Sequence, residues 1–302
     1  MLRITLAAAA LFALPVLPSF GADWTKVADA LGKSGAETPG GVYRVGMPRT
    51  DLHITLDGVE IKPTLALGSW LAFRDEGNAT MVMGDLVLTE AEIGPVMKKL
   101  ADDGIEITAL HNHLLRAQPA TFYMHVLGHG DPVKLAGALH AGLALSKTPL
   151  GSPAPPAASQ PPAAGAPPST VPTLDTALID QTLGAKGNNA AGVHQVTIRR
   201  AETIKDGNME VPVAMGSGEA INFQPLDGGR AAITGDFVLT ANEVNPVLRV
   251  LRDNGIEVTA LHNHMLDEQP RVFFMHFWAV DDAAKLAKAL RQALDKVNLA
   301  RG

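Results

Sequence analysis

The chain has 302 residues, no cysteine and a formal net charge of −6, with hydrophobic residues making up 46% of it. That balance excludes disulfides and cysteine-ligated metals. It also argues against a surface built to hold nucleic-acid backbone or anionic lipid, since both require excess positive charge.

The N-terminal stretch reads as an export signal: Arg3, the apolar run 4–17, then Ser19-Phe20-Gly21 as a small-x-small cleavage signature. Residues 1–21 are expected to be removed, leaving an exported, periplasmic or secreted protein. The run is shorter than the roughly 20 apolar residues of a membrane span, Pro15 and Pro18 interrupt it, and no second candidate span follows.

Beyond it the chain is a tandem duplication. The stretch 105–125, IEITALHNHLLRAQPATFYMH, returns at 256–276 as IEVTALHNHMLDEQPRVFFMH, offset by 151 residues, and 11 of its first 15 positions are identical. The expected organisation is repeat 1 over 22–147, a linker over 148–172 and repeat 2 over 173–302. The linker carries nine prolines among Ala, Ser and Gly between Pro149 and Pro172, a composition that forms no core and favours extended geometry.

In chain order, 24–31 and 174–183 space apolar residues as short amphipathic helices, each followed by glycine, Gly32 and Gly184. Strand-like stretches follow at 42–45, 52–56 and 62–73, matched by 193–198, 210–215 and 220–223. From Thr80 each repeat reads as β-α-β-β-α: strand 81–88, helix 89–103, strand from Ile105, strand from Thr121, and a closing helix from Asp131 in repeat 1 or Asp281 in repeat 2. Thr89 with Glu92, and Thr240 with Glu243, have capping-box spacing; Gly104 and Gly255 suit the left-handed residue after a helix. The predicted fold class is α+β, with antiparallel or mixed sheets and helices on one face. Both faces of the strand from Ile105 are apolar, so the uncovered sheet faces are expected to pack repeat on repeat as a pseudo-twofold pair.

Six of the ten histidines fall at repeat-related positions: His111, His113 and His125, then His262, His264 and His276. Strand parity puts each trio on one sheet face. A five-residue loop at 116–120 would set His111 opposite His125 and His113 opposite Tyr123, with His262 opposite His276 and His264 opposite Phe274. The expectation is a three-histidine transition-metal site in each repeat, or one formed by the pair together, zinc first, with copper or iron as alternatives, and an open position for water or substrate. A fourth ligand or general base could come from Glu92/Glu243 or Asp85/Asp236. Plainer roles compete: buried histidines hydrogen-bonding one another, Glu92 and Glu243 as caps, Gly84-Asp85 and Gly235-Asp236 as bends beside a strand, and Gln118-Pro119 and Gln269-Pro270 as hairpin chemistry. The contiguous His-Asn-His is not the nuclease motif of those letters, and no phosphate loop or H-E-x-x-H occurs.

The segments GDLVLTEAEIGPV, GIEITALHNHLL and FYMHVLGHGDP, with their second copies, resemble the LppY/LpqO family of exported bacterial proteins. The resemblance covers nearly the whole mature chain and implies export, but no activity, cofactor or catalytic residue. Its namesakes are lipoproteins, whereas this chain has no cysteine to carry a lipid. The alternative function is a non-enzymatic envelope module in which Phe122, Tyr123, Phe273, Phe274 and Trp278 form a cleft for a small molecule or cell-wall component.

Overall fold

The computed structural model describes residues 21–77, 79–151 and 172–301. The proposed export segment 1–20 and linker residues 152–171 lie outside them. Repeat 1 runs α1 (Trp24–Leu31), β1 (Ala36–Thr38), β2 (Val42–Pro48), β3 (Ile54–Leu56), β4 (Val59–Ile61), α2 (Pro63–Ala66), β5 (Gly68–Asp75), β6 (Thr80–Thr89), α3 (Glu90–Asp102), β7 (Glu106–His111), β8 (Thr121–Gly130) and α4 (Pro132–Leu143). Its six-stranded sheet has the order β1-β2-β5-β6-β8-β7, and every neighbouring pair is antiparallel.

Repeat 2 repeats the plan: α5 (Thr176–Leu183), β9 (Asn188–Ala190), β10 (Val193–Arg199), β11 (Lys205–Asp206), β12 (Met209–Glu210), β13 (Gly218–Pro225), β14 (Arg230–Leu239), α6 (Ala241–Asp253), β15 (Glu257–His262), β16 (Phe273–Asp282) and α7 (Ala283–Leu294). Its sheet order is β15-β16-β14-β13-β10-β9.

The β-α-β-β-α unit stands where the sequence places it, and its punctuation works as the residue types require. The Thr89 amide donates to Glu92 Oε2 at 2.8 Å and the Thr240 amide to Glu243 Oε2 at 2.7 Å, closing both capping boxes. Gly104 and Gly255 turn the chain after those helices at φ 80° and 75°. The predicted strand 62–73 is instead split. Pro63 starts the one-turn helix α2, where a missing N–H costs nothing, and the strand resumes at Gly68. In repeat 2 the stretch 210–215 ends as a 3-10 turn at Val213–Met215, and the closing helix caps on Asp282 rather than Asp281 because β16 runs one residue further.

Helices α1, α3 and α4 cover one face of the first sheet through Val27, Leu31, Val96, Leu100, Leu135 and Leu139. Helices α5 to α7 do the same for the second. The other faces meet across the chain. The arm of repeat 2, with Ile204, Val211 and Met215, packs on Val42, Ala72, Met81 and Met83 of the first sheet. The arm of repeat 1, with Ile54, Leu56, Ile61 and Leu65, packs on Val193, Ala232 and Trp278 of the second. The embrace is reciprocal, as a pseudo-twofold pair demands, and each aliphatic side chain buried in it contributes about 1.5–3 kcal/mol. Polar ties follow the same course. Arg44 and Arg74 donate to the carbonyls of Ala214 and Glu210, and Gln195 and Asn222 donate to those of Thr64 and Leu65.

Candidate metal centre

Strands β7 and β15 end their sheets side by side at the junction, so the two histidine trios are brought into one cluster rather than two separate sites. Thr108 Oγ1 of β7 donates to the His264 carbonyl at 2.6 Å, and Asn263 Nδ2 donates to the Thr108 carbonyl at 2.9 Å. His111 and His262 stack with ring centroids 3.5 Å apart. His113 lies 3.6 Å from His276, and His125 lies 3.8 Å from His264. The longer separations match in the same way, 5.4 Å for His111–His276 and 5.5 Å for His125–His262. Each cross-repeat distance has its twofold mate.

The hairpin register departs from the expected one by two residues. Ala109, not His111, lies opposite His125, and His111 lies opposite Tyr123; a bulge at Thr108 moves only the far end of the strand, Glu106 and Ile107, by one further residue. Repeat 2 has the same shift: Ala260 faces His276 and His262 faces Phe274. The loop is correspondingly longer, spanning 112–120 between β7 and β8 and passing through a cis Gln118-Pro119 bond. Because a two-residue shift preserves parity, the histidines still share a face. His113, just past the strand end, stacks on Tyr123 at 3.3 Å, and His264 stacks on Phe274 at 3.4 Å.

Asp85 and Asp236 also face the cluster. They sit mid-strand, opposite His125 and His276 on β6 and β14, rather than in bends. Asp85 Oδ2 lies 3.6 Å from His113 Nε2, and Asp236 Oδ2 lies 3.4 Å from His264 Nε2. The preceding glycines let the strands close up: a Cβ on Gly235 would stand 1.9 Å from the Ala220 carbonyl oxygen. The Gly235 carbonyl is thereby free to accept from His276 Nδ1 at 2.8 Å, and Gly84 holds His125 likewise.

Burial sets the charge state. It drives all six imidazoles below their usual range, neighbouring histidines adding to the effect at every one but His276; His125 is pushed down to about 3 and His276 to about 4, each against the pull of its carbonyl hydrogen bond. The rings are neutral at pH 7, the form in which imidazole binds a metal. Burial raises Asp85 to about 8 although Arg44 nearby opposes it, and raises Asp236 well above the carboxylate range, helped by the proximity of Asp85. Arg44 has no counterpart: the equivalent residue in repeat 2 is Gln195.

With Nδ1 of His125 and His276 donating to carbonyls, Nε2 carries the lone pair. Among the described residues those two Nε2 atoms have no hydrogen-bond partner, nor do Nε2 of His113 and His264, both ring nitrogens of His111 and His262, or Oδ1 of Asp85 and Asp236. Each buried polar atom left unpaired costs about 1–3 kcal/mol, so such a concentration calls for a partner that satisfies several at once. Donor atoms of four overlapping groups lie within 4.8 Å of one another: His111–His262–His276, His111–His113–His125, His125–His262–His264 and Asp236–His264–His276. The set fits a transition metal, and a carbonyl bonded to the far ring nitrogen is the usual support of a ligating histidine. One of these groups is the expected repeat-1 trio His111–His113–His125, and two combine histidines of both repeats.

Glu92 and Glu243 lie elsewhere, as caps. Arg49, fully buried, pairs with Glu92 at 2.9 Å and Asp51 at 2.8 Å; Arg200 pairs with Glu243 and Glu202, each at 2.9 Å. Burial disfavours ionised Glu92 and Glu243, but hydrogen bonds from these arginines and the capping amides prevail and hold both below their usual range. The arginines escaped the sequence reading, although they too stand 151 residues apart. Of the five aromatics expected to line a cleft, Tyr123, Phe274 and Trp278 are buried, the first two beneath the histidines, while Phe122 and Phe273 are half-buried. A cavity of about 600 Å³ opens at the junction between Leu52, Lys62, Leu226 and Arg230, and none of the six histidines lines it.

The profile of the family described as Domain of Unknown Function (DUF1259) matches residues 25–145 and again 177–296. The chain belongs to that family, in two tandem copies. No protein of curated function matches it. Among solved structures, a trimeric bacterial microcompartment shell protein, PduB, is 12% identical over 86% of this chain and 89% of its own, with a TM-score of 0.20. EtuB from Clostridium kluyveri is 10% identical over 87% and 91%, with a TM-score of 0.18. Likeness at that level carries no argument about this chain. Among the described residues no helix is long and apolar enough to cross a membrane.

Proposed function

We propose that this is an exported transition-metal-binding protein whose metal centre is built jointly by His111, His113, His125, His262, His264 and His276, with Asp85 and Asp236 as the acidic members. The observation that carries the reading is the set of buried imidazole nitrogens converging without hydrogen-bond partners. Neutral imidazole suits zinc first, then copper or iron. Export rests on the N-terminal pattern and the likeness to the LppY/LpqO family.

The reading extends to a metal-dependent enzyme. An ion held by neutral imidazoles keeps most of its positive charge and, with one position open, lowers the pKa of bound water to about 7. Asp85 and Asp236 stand nearest, and the charge of a bound ion would return either carboxyl to the ionised form in which it accepts a proton. The test is elemental analysis of full-length protein purified without an affinity tag, with melting curves before and after metal addition. Retained zinc, copper or iron is expected, with about 2.7 kcal/mol of added stability when free metal is a hundredfold above its Kd. Absence of metal together with an unmoved melting curve overturns the reading.

A further inference from the structure

We infer that the centre holds two ions, and that each is bound across the repeats: one by His111 and His113 with His276, the other by His262 and His264 with His125. This rests on the metal-binding reading. A zinc-type ion takes about four protein or solvent ligands. Six histidines and two aspartates face one another here, too many for one ion and enough for two sets of four.

The geometry favours the crossed division. The second set closes within 4.8 Å as it stands, as does the same-repeat trio His111–His113–His125, so the ring separations decide between the two divisions. Those of the second set are 5.1 Å for His262–His264, 3.8 Å for His125–His264 and 5.5 Å for His125–His262. The first set mirrors them at 5.0 Å for His111–His113, 3.6 Å for His113–His276 and 5.4 Å for His111–His276. The shortest contact in each set therefore joins histidines of different repeats. Asp85 approaches the first set through His113, and Asp236 the second through His264. Asp236 also lies 3.8 Å from His276 Nδ1, but that nitrogen already donates to the Gly235 carbonyl. A single ion between His111 and His262 would leave Nε2 of His113 and His264 unpartnered in the interior. The crossed division uses every histidine once, and it makes the metal a clasp between the repeats.

The experiment is a zinc titration of the full chain against a competing chelator, for the wild type and two double variants. The wild type is expected to take up two ions. His113→Gln/His276→Gln removes two ligands from one set and is expected to leave one site at wild-type affinity. His113→Gln/His125→Gln removes one ligand from each set, and both sites are expected to weaken ten- to hundredfold or more. The reverse pattern overturns the crossed division. One ion per wild-type chain overturns the two-ion inference while leaving metal binding intact, and no ion overturns both. Far-UV circular dichroism checks folding; if a Gln pair misfolds, the Asn pairs carry the same contrast, and the wild-type count still decides between one ion and two.

Discussion

His111 and His262, 151 residues apart in sequence, stack at 3.5 Å between ring centroids where the two repeats meet. Neither ring has a hydrogen-bond partner among the described residues at either nitrogen. A duplicated strand end has thus become the middle of a site that neither copy contains alone. The second repeat supplies both the cover for the first sheet and half of the clustered histidines.

An isolated repeat 1, residues 22–147, would expose the face formed by Val42, Ala72, Met81 and Met83 as well as its own arm. Because the embrace is reciprocal, the fragment is expected to precipitate or to dimerise with itself, rebuilding a six-histidine cluster from two copies of His111, His113 and His125. Sedimentation of the purified fragment checks this. A soluble, folded monomer would mean that the repeats do not depend on each other.

Arg49 is fully buried against Glu92 and Asp51. Replacing it by Met leaves two carboxylates without their cation and is expected to cost about 3–5 kcal/mol of unfolding free energy, much of which Arg49→Met/Glu92→Met should recover. Zinc affinity of the folded fraction should stay at the wild-type value, because Glu92 serves the cap and not the centre. A tenfold or greater loss of affinity in Arg49→Met, with the fold intact, would give Glu92 a role at the metal.

Glu219 has no charged counterpart in repeat 1: Ser69 accepts from the Val87 amide there, as Glu219 accepts from Val238. Its burial raises the carboxyl well above 4.5, against the pull of the Val238 amide and Arg200. The folded state therefore keeps a proton that the unfolded chain releases, so stability from this group is full below about pH 4.5 and declines as pH rises. Glu219→Gln keeps the acceptor and removes the titration. Its gain in denaturant midpoint is expected to be near zero at pH 4 and largest near pH 8; a gain that shrinks as pH rises would contradict the assignment.

Much of this was legible in the sequence because it depends on local spacing. The caps at Thr89 and Thr240, the glycine stops and the β-α-β-β-α order follow from residue types a few positions apart, and the shared face of the histidines follows from strand parity. The register was not legible, since the loop between β7 and β8 spans 112–120 rather than 116–120 and no residue type in it marks where pairing stops. Whether the trios would stay apart or form one cluster was left open, because a linker of this length permits the repeats to dock either way. Asp85 and Asp236 read as bends beside glycine, yet Gly84 and Gly235 serve close strand approach.

The most direct measurement is anomalous diffraction at the zinc absorption edge from crystals of the full chain grown with zinc. The account expects anomalous density among the six histidines, about 2.0–2.1 Å from imidazole nitrogens contributed by both repeats. A map with no peak there, or with peaks ligated by histidines of one repeat only, would contradict a centre shared across the duplication.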